Sequence, residues 1–428
     1  MPIKWKTATA EEFCTKVTDG THDSPKQVEH GKLLVTSKNI IGGRLDLEKS
    51  YAISIDDFNE VNRRSKVKVN DILLSMIGTV GEACLITEDP DFAIKNVGLL
   101  KNDEPVKAKW LYLYLSSPAT KHLIHERTRG TTQQYLPLGE IRKFPIRFPD
   151  DSKYMKKVTE LMYCFIDKIE LNRKMNETLE EMARAIFKSW FVDFDPVHAK
   201  ARGEKPAGMP DEIADLFPSE FVHSDQLNKP IPKGWEIKPL GEVFESFGGG
   251  TPSTKEPEYW GNGIYYWATP KDLSNLNEPI VFTTERKLTE KGLNKVSSGL
   301  LPQGTVLLSS RAPIGYIAIS ETPIAINQGF IAIKENEFFS KYFIYFWCKE
   351  NMEIIIANAN GSTFLEISKK NFRNINSVFP VDEKIIRAFT SVAEPIFQLI
   401  QKNIIEKNTL TELRNSLLPK LISGEIEV

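Results

Sequence analysis

The sequence has no apolar stretch approaching the roughly eighteen residues a membrane span requires, which excludes a transmembrane helix. Its four cysteines, Cys14, Cys84, Cys164 and Cys348, lie far apart, so neither a disulfide framework nor a metal site is expected. The opening Met1-Pro2-Ile3-Lys4-Trp5 lacks the apolar core of a secretory signal. A reducing cytoplasm is the expected location. The sequence also lacks a charge excess: 55 basic against 57 acidic residues leave a net charge of −2, unlike proteins that coat nucleic acid indiscriminately. Any basic surface must be local. Residues 1–149 carry 22 Lys and Arg against 19 acids, and residues 150–234 carry 13 against 16.

Catalytic machinery is missing as well. An adenine methyltransferase needs a glycine-rich cofactor loop and an Asp/Asn-Pro-Pro-aromatic tetrapeptide to hold the flipped base. Phe247-Gly248-Gly249-Gly250-Thr251 does not match the first, and the second is absent. No stretch fits the Gly-x-x-x-x-Gly-Lys-Ser/Thr loop that cradles phosphates in a translocase. Pro149-Asp150-Asp151-Ser152-Lys153 crowds together the letters of a nuclease motif and reads as a helix N-terminus, where acids favour the dipole. His122 and His125 beside Glu126 lack a third ligand cluster and read as a surface helix. No catalytic residue and no metal ligand is therefore assigned.

What is present is a repeat. Gly130-Thr131-Thr132 returns as Gly361-Ser362-Thr363, Phe148-Pro149 as Phe379-Pro380 and Asn96-x-Gly98 as Asn327-x-Gly329, all at an offset of 231 residues. Upstream the offset drifts: Ile72-Leu73-Leu74-Ser75 with Gly81 matches Val306-Leu307-Leu308-Ser309 with Gly315, Gly20-Thr21 matches Gly250-Thr251, and Trp5 matches Trp235. Six pairs in one order make an internal duplication the natural reading. Leu33 to Val35 and Ile72 to Leu74 in the first half have the composition of buried strands. In the second half Ile264 to Trp267, Thr305 to Leu308, Tyr316 to Ile319 and Gly329 to Ile333 take that role.

After each Phe-Pro stop a heptad seam begins. It runs Val158, Met162, Phe165, Ile169, Asn172, Asn176, Leu179, Ala183, Ile186, Trp190 in the first half. The second is Phe389, Ala393, Ile396, Ile400, Asn403, Lys407, Leu410, Arg414, Leu417, Leu421. Each helix could extend about 50–60 Å. Asn172, Asn176 and Asn403 are the seam asparagines, of which Asn172 and Asn403 hold equivalent places and fix register at some cost in stability. The expected fold class is α+β: two globular mixed α/β domains separated by a pair of long antiparallel coiled-coil helices, with a pseudo-twofold internal repeat. The expected divisions are 1–149, a long helix over 150–194, a proline- and glycine-rich irregular connector over 195–234, a second domain over 235–380 and a final helix over 381–428.

The central run Phe187-Lys188-Ser189-Trp190-Phe191-Val192-Asp193-Phe194-Asp195-Pro196-Val197 resembles the specificity subunit of Type I restriction-modification systems. So do Lys200-Ala201-Arg202-Gly203, Leu216-Phe217-Pro218-Ser219-Glu220-Phe221, Ile231-Pro232-Lys233-Gly234-Trp235 and the closing Leu417-Leu418-Pro419-Lys420-Leu421-Ile422-Ser423-Gly424-Glu425-Ile426. The resemblance implies a non-catalytic subunit with two target-recognition domains, each reading half of a bipartite site in double-stranded DNA. It implies two methyltransferase subunits docked on the helical regions and motor-nuclease subunits joining them, with S-adenosylmethionine, ATP and Mg on those partners and no cofactor on this chain.

Base readout needs Arg, Lys, Asn, Gln, Ser or Thr on loops that a strand framework carries into the groove. In the first half the candidates are Thr21, His22, Lys38, Asn39, Met76, Gly78, Thr79, Arg127, Arg129, Thr131, Thr132, Gln133 and Gln134. In the second they are Thr251, Ser253, Lys271, Ser309, Ser310, Arg311, Asn327, Gln328, Asn358, Asn360, Ser362 and Thr363. The cluster around Arg129 and the residue Arg311 are favoured within each set.

Overall fold

The apolar runs bounded by Gly, Asn and Asp form strands, as their composition requires. The computed structural model describes residues 3–130, 134–274, 276–361 and 365–428, which fall into two units, Met1–Glu170 with Lys407–Val428, and Leu171–Glu406. In the first unit a four-stranded antiparallel sheet runs in the order Lys16–Asp19, Val97–Lys101, Ile72–Ser75, Ala83–Leu85. A second sheet sets Lys32–Val35 between an antiparallel Tyr51–Ile53 and a parallel Phe92–Ile94. Trp5–Thr9 returns against Pro145–Pro149 and closes the lobe.

The second unit rebuilds this plan. Its larger sheet has the order Glu245–Gly248, Phe330–Lys334, Val306–Ser310, Ile314–Ser320, Ile280–Val281. A three-stranded sheet sets Tyr265–Ala268 between an antiparallel Arg286–Leu288 and a parallel Ile324–Ile326, and Glu236–Pro239 closes against Asn376–Phe379. The repeat is thus one of structure, although two of the letter matches do not align in space. Ser75 stands opposite Val97 and Ser309 opposite Phe330, so Gly98 answers to Ile331 and not to Gly329. A Cβ on Gly20 would lie 2.3 Å from the Ile94 carbonyl oxygen and one on Gly249 1.9 Å from that of Ile326, so Gly20 answers to Gly249 rather than Gly250. In both places only a glycine lets the chain cross so close to the neighbouring strand.

Each lobe also contains a helix without an apolar stripe, Pro105–Ser116 and Lys341–Glu350. Tyr342 to Cys348 are all buried, which leaves no polar face for a 3.6-residue period to reveal. The Trp110 indole donates to the Arg147 carbonyl at 3.0 Å and the Trp347 indole to Ser377 Oγ at 3.0 Å, so each of these helices is tied to its lobe's closing strand.

The long helices are Ser152–Phe191 and Glu383–Ser423, and within each unit they run antiparallel. In the first unit the Tyr154 hydroxyl, at the start of one helix, donates to the carbonyls of Leu421 and Ile426, at 3.3 and 3.1 Å. Asp151 Oδ1 accepts from the Lys153 amide at 2.8 Å, confirming the expected helix start. In the second unit Asn172, Asn176 and Asn403 are 0%, 3% and 6% exposed. Asn172 Nδ2 donates to Glu406 Oε2 at 2.8 Å, and Asn403 Nδ2 to Asn176 Oδ1 at 2.9 Å. Any slip would strand these buried amides at about 1–3 kcal/mol each, which makes the alignment unique.

Three seam positions differ from expectation, among them Leu417, which is half-buried while Leu418 is 5% exposed. Ile186 and Ile396 are half-buried, whereas the next residues, Phe187 and Phe397, are 0% and 2% exposed. A straight helix drifts about 20° per heptad from a strict seven-residue repeat, which brings the following residue to the inside. The expected irregular connector is also more regular than its prolines and glycines indicate. It folds into a short helix at Asp195–Ala201, another at Asp211–Ala214, and a hairpin of Phe221–Ser224 with Lys229–Pro232.

Candidate nucleic-acid interface

Loops at one edge of the first unit converge on a hydroxyl. Ser37 Oγ donates to the Asn96 carbonyl at 3.0 Å and accepts from the amides of Met76 and Ile77 at 3.2 and 3.4 Å, joining three loops. The exposed Lys38 extends from this junction. The turn after Ile72–Ser75 is closed by Ser75, whose hydroxyl donates to the Thr79 carbonyl and accepts from the Glu82 amide at 2.9 Å. Gly78 at φ +81° lets it double back, leaving Thr79 exposed. A narrow hairpin meets this turn: Arg129 and Tyr135 exchange both backbone hydrogen bonds at 2.9 Å, and Tyr135 also bridges to Ile77. Arg129 and Gln134 are exposed on it.

The loop carrying Thr21 and His22 is braced from beneath. Asp19, buried at the strand end, takes Arg64 at 2.8 Å and His22 Nε2 at 3.0 Å, while His22 Nδ1 lies 2.8 Å from Asn96 Oδ1. Lys95 Nζ donates to Ser24 Oγ at 2.5 Å. Sequence reading missed Arg64 and Lys95, and marked Asn96 only through the Asn96-x-Gly98 match and not as a brace. In the structure Asn96 takes a positive φ, which its residue type tolerates.

The second unit repeats the construction with other side chains. Thr36 and Asn39 form a capping pair, in which Asn39 Oδ1 accepts from Thr36 N at 2.8 Å, and Thr269 and Asp272 form the same pair at 2.8 Å. Lys38 and Lys271 therefore occupy equivalent places. Ser309 closes its turn as Ser75 does, donating to the Pro313 carbonyl and accepting from the Tyr316 amide, each at 2.8 Å. Asn360 and Glu366 exchange backbone hydrogen bonds at 2.9 Å, and Glu366 bridges to Arg311, matching Arg129, Tyr135 and Ile77. Thr251 donates to Gln328 Oε1. Two indoles support that loop: Trp267 donates to the Gly250 carbonyl at 3.1 Å and Trp260 to the Ser253 carbonyl at 3.0 Å. The Arg286 guanidinium lies 3.4 Å from the Trp260 ring centroid. Sequence reading placed Trp267 in a strand but not as a brace, and gave no signal for Trp260 or Arg286.

Several candidates prove to be scaffold. Asn39 is 1% exposed, its Oδ1 held by Thr36 and its Nδ2 donating to the Asp46 carbonyl at 2.9 Å. Met76, Ser309 and Ser310 are 6%, 0% and 3% exposed and cannot face a groove. Arg127 donates to the Leu123 carbonyl at 2.9 Å and lies over the Phe144 ring, so its charge braces the helix end behind the hairpin. Asn327 Oδ1 accepts from the Gly329 amide at 2.8 Å as a turn support, while Asn358 Nδ2 donates to the Ile354 carbonyl at 2.9 Å from a side chain that is still exposed. Facing solvent are His22, Lys38, Gly78, Thr79, Arg129, Gln134, Thr251, Ser253, Lys271, Gln328, Asn358 and Asn360, with Thr21 and Arg311 partly so. Thr131, Thr132, Gln133, Ser362 and Thr363 lie outside the described residues.

The exposed cations are held loosely. Arg129 pairs with Glu140 at 3.0 Å, Lys271 with Glu285 at 2.8 Å and Arg311 with Glu366 at 3.7 Å. The hydrogen bond that Lys271 donates to Glu285 raises the Lys271 amine above its ordinary pKa, so it stays charged. Surface pairs of this kind are worth at most about 1 kcal/mol, which phosphate or base contacts readily offset. Burial pushes the thiols of Cys14 and Cys84 up to about 12, so neither is a thiolate at neutral pH. Among the described residues no group of three or more metal-ligating side chains gathers, and no helix is long and apolar enough to cross a membrane. His122 sits 3.3 Å from Glu126 on an exposed helix face, as a surface pair.

Comparison with known proteins gives a family. The profile described as the Type I restriction modification DNA specificity domain matches residues 2–181 and again 232–415, the two halves of the repeat. The Type I restriction enzyme HindI specificity subunit of Haemophilus influenzae is 29% identical over 409 residues, covering 85% of this chain and 88% of that protein. The MjaIX specificity subunit of Methanocaldococcus jannaschii is 36% identical over 205 residues, 46% of each chain. The crystal structure of a Type I restriction-modification S subunit from M. genitalium covers 98% of this chain and 96% of its own, with a TM-score of 0.56 at 16% identity, and shares the fold.

Proposed function

We propose a two-part DNA reader on the following premise: this chain belongs to the Type I restriction modification DNA specificity domain family. Its role is DNA sequence specificity within a restriction-modification complex. Each unit reads one half-site through its loop edge, and the paired helices set the gap between the halves. One observation carries this reading. The units share a hairpin-on-turn scaffold but differ at its solvent side, with Ile77, Arg129 and Tyr135 on one and Arg311, Asn360 and Glu366 on the other. A common scaffold with unlike side chains suits two readers of unlike sequences, since base contacts specify while backbone contacts position.

The chain itself supplies no chemistry in this reading. Two methyltransferase subunits dock on the helical regions and methylate adenine, motor-nuclease subunits join them, and S-adenosylmethionine, ATP and Mg are bound by those partners. The assembly works in the cytoplasm. The test is competitive duplex binding by the complete complex. Scrambling either half-site, or lengthening the gap by half a helical turn, is expected to weaken binding by about 10³-fold or more, toward non-specific affinity. A complex that tolerates a changed gap contradicts the reading.

A further inference from the structure

The equivalent positions of the two reading edges differ in kind where the bridge meets the turn. Ile77 and Tyr135 in the first unit are replaced by Arg311 and Glu366 in the second, which form the same backbone bridge. Behind them the scaffold is fixed: the Ile367 amide donates to the Ser310 carbonyl at 3.0 Å, Ser309 closes the turn, and Asn371 Nδ2 donates to the Asn358 carbonyl at 2.9 Å. The Arg311 and Glu366 side chains remain 38% and 50% exposed, and their charged groups are 3.7 Å apart. That exceeds the roughly 2.7–2.9 Å of a charge-assisted hydrogen bond, so the pair lies side by side without closing on itself.

We propose that Arg311 and Glu366 together read one G·C base pair in the half-site taken by the second unit. Arg311 forks onto guanine N7 and O6, and Glu366 accepts from cytosine N4. This rests on the two-part reading above. The major-groove edge of a G·C pair presents two acceptors and then a donor, which a guanidinium and an adjacent carboxylate complement in that order. An A·T pair puts the adenine N6 donor against the guanidinium and the thymine O4 acceptor against the carboxylate, so both contacts become repulsive. A lone carboxylate at this edge would be repelled by the phosphates. Beside Arg311 its charge is offset, and its remaining lone pairs are open to a donor such as cytosine N4.

The experiment selects duplexes from a library randomised over both half-sites, using the complete complex with the wild-type chain, Glu366→Gln and Arg311→Gln. The half-site of the second unit is identified as the one still recognised by the Arg129→Ala, Gln134→Ala double variant. The wild type is expected to require G·C at one position there. Each single variant is expected to lose about tenfold or more of that discrimination while every other position is kept. Unchanged discrimination in Glu366→Gln, or a change confined to the other half-site, overturns this inference and leaves the two-part reading standing. A wild-type complex that selects no two-part target overturns both.

Discussion

Replacing Phe187 by alanine is expected to cost the second unit about 3–5 kcal/mol, a large share of the stability of an ordinary domain. Phe187 is 0% exposed, and its ring centroid lies 5.1, 5.2, 5.9 and 5.4 Å from those of Phe191, Phe343, Phe346 and Phe389. It thus joins the first long helix both to the buried helix of the lobe and to the second long helix. Removing it forfeits the transfer energy of a phenyl ring and leaves a cavity lined by other aromatic groups, which cannot collapse without leaving their rotamers. Ile186→Ala, one residue earlier and half-buried, is the matched control and is expected to cost clearly less. Urea unfolding of the two variants checks this. A larger loss at Ile186 than at Phe187 would restore the strict heptad reading and contradict the observed seam.

The double replacement Arg129→Ala, Gln134→Ala is expected to abolish discrimination at one half-site while leaving the other intact. Both side chains are exposed on the hairpin clamped to the Ile77 turn. Each base contact is worth about 1–3 kcal/mol, so losing two amounts to a fall of about 10²-fold or more. The fold should survive, because the hairpin is held by backbone hydrogen bonds between Arg129 and Tyr135 that no side chain enters. Glu140 loses its partner, but a surface ion pair contributes little. Competitive gel shifts with duplexes altered in one half at a time measure the effect. Equal weakening at both halves would contradict separate readers.

The architecture was legible where the physics is periodic or local. The heptad stripes, the breaks after Phe148-Pro149 and Phe379-Pro380, and strands such as Val306–Ser310 follow from side-chain period and turn chemistry. The helices Pro105–Ser116 and Lys341–Glu350 were not legible, because burial of Trp110, Leu111 and Leu113 to Leu115 in one and of Tyr342 to Cys348 in the other blurs the stripe, and an aromatic run reads equally well as a strand. The reading edges were legible as places rather than as residues. Sequence identified the turn after Ile72–Ser75 but not which way its side chains face, and Ser309 and Asn39 turned inward to satisfy the backbone of their own loops. The braces were invisible for another reason. Trp267 and Arg64 act on loops 17 and 45 residues away, and no local pattern encodes such a contact, while Trp260 reaches back 7 residues to a carbonyl that any side-chain donor could take.

The most direct test of the central claim is to map every methylated adenine in a genome exposed to the complete complex containing this chain. Two unlike readers at a set separation require a single motif with two different specified parts and an unspecified gap of one constant length. Methylation at one uninterrupted motif, at a symmetric repeat of one part, or at parts whose gap varies from site to site would show that the chain does not read DNA in this way.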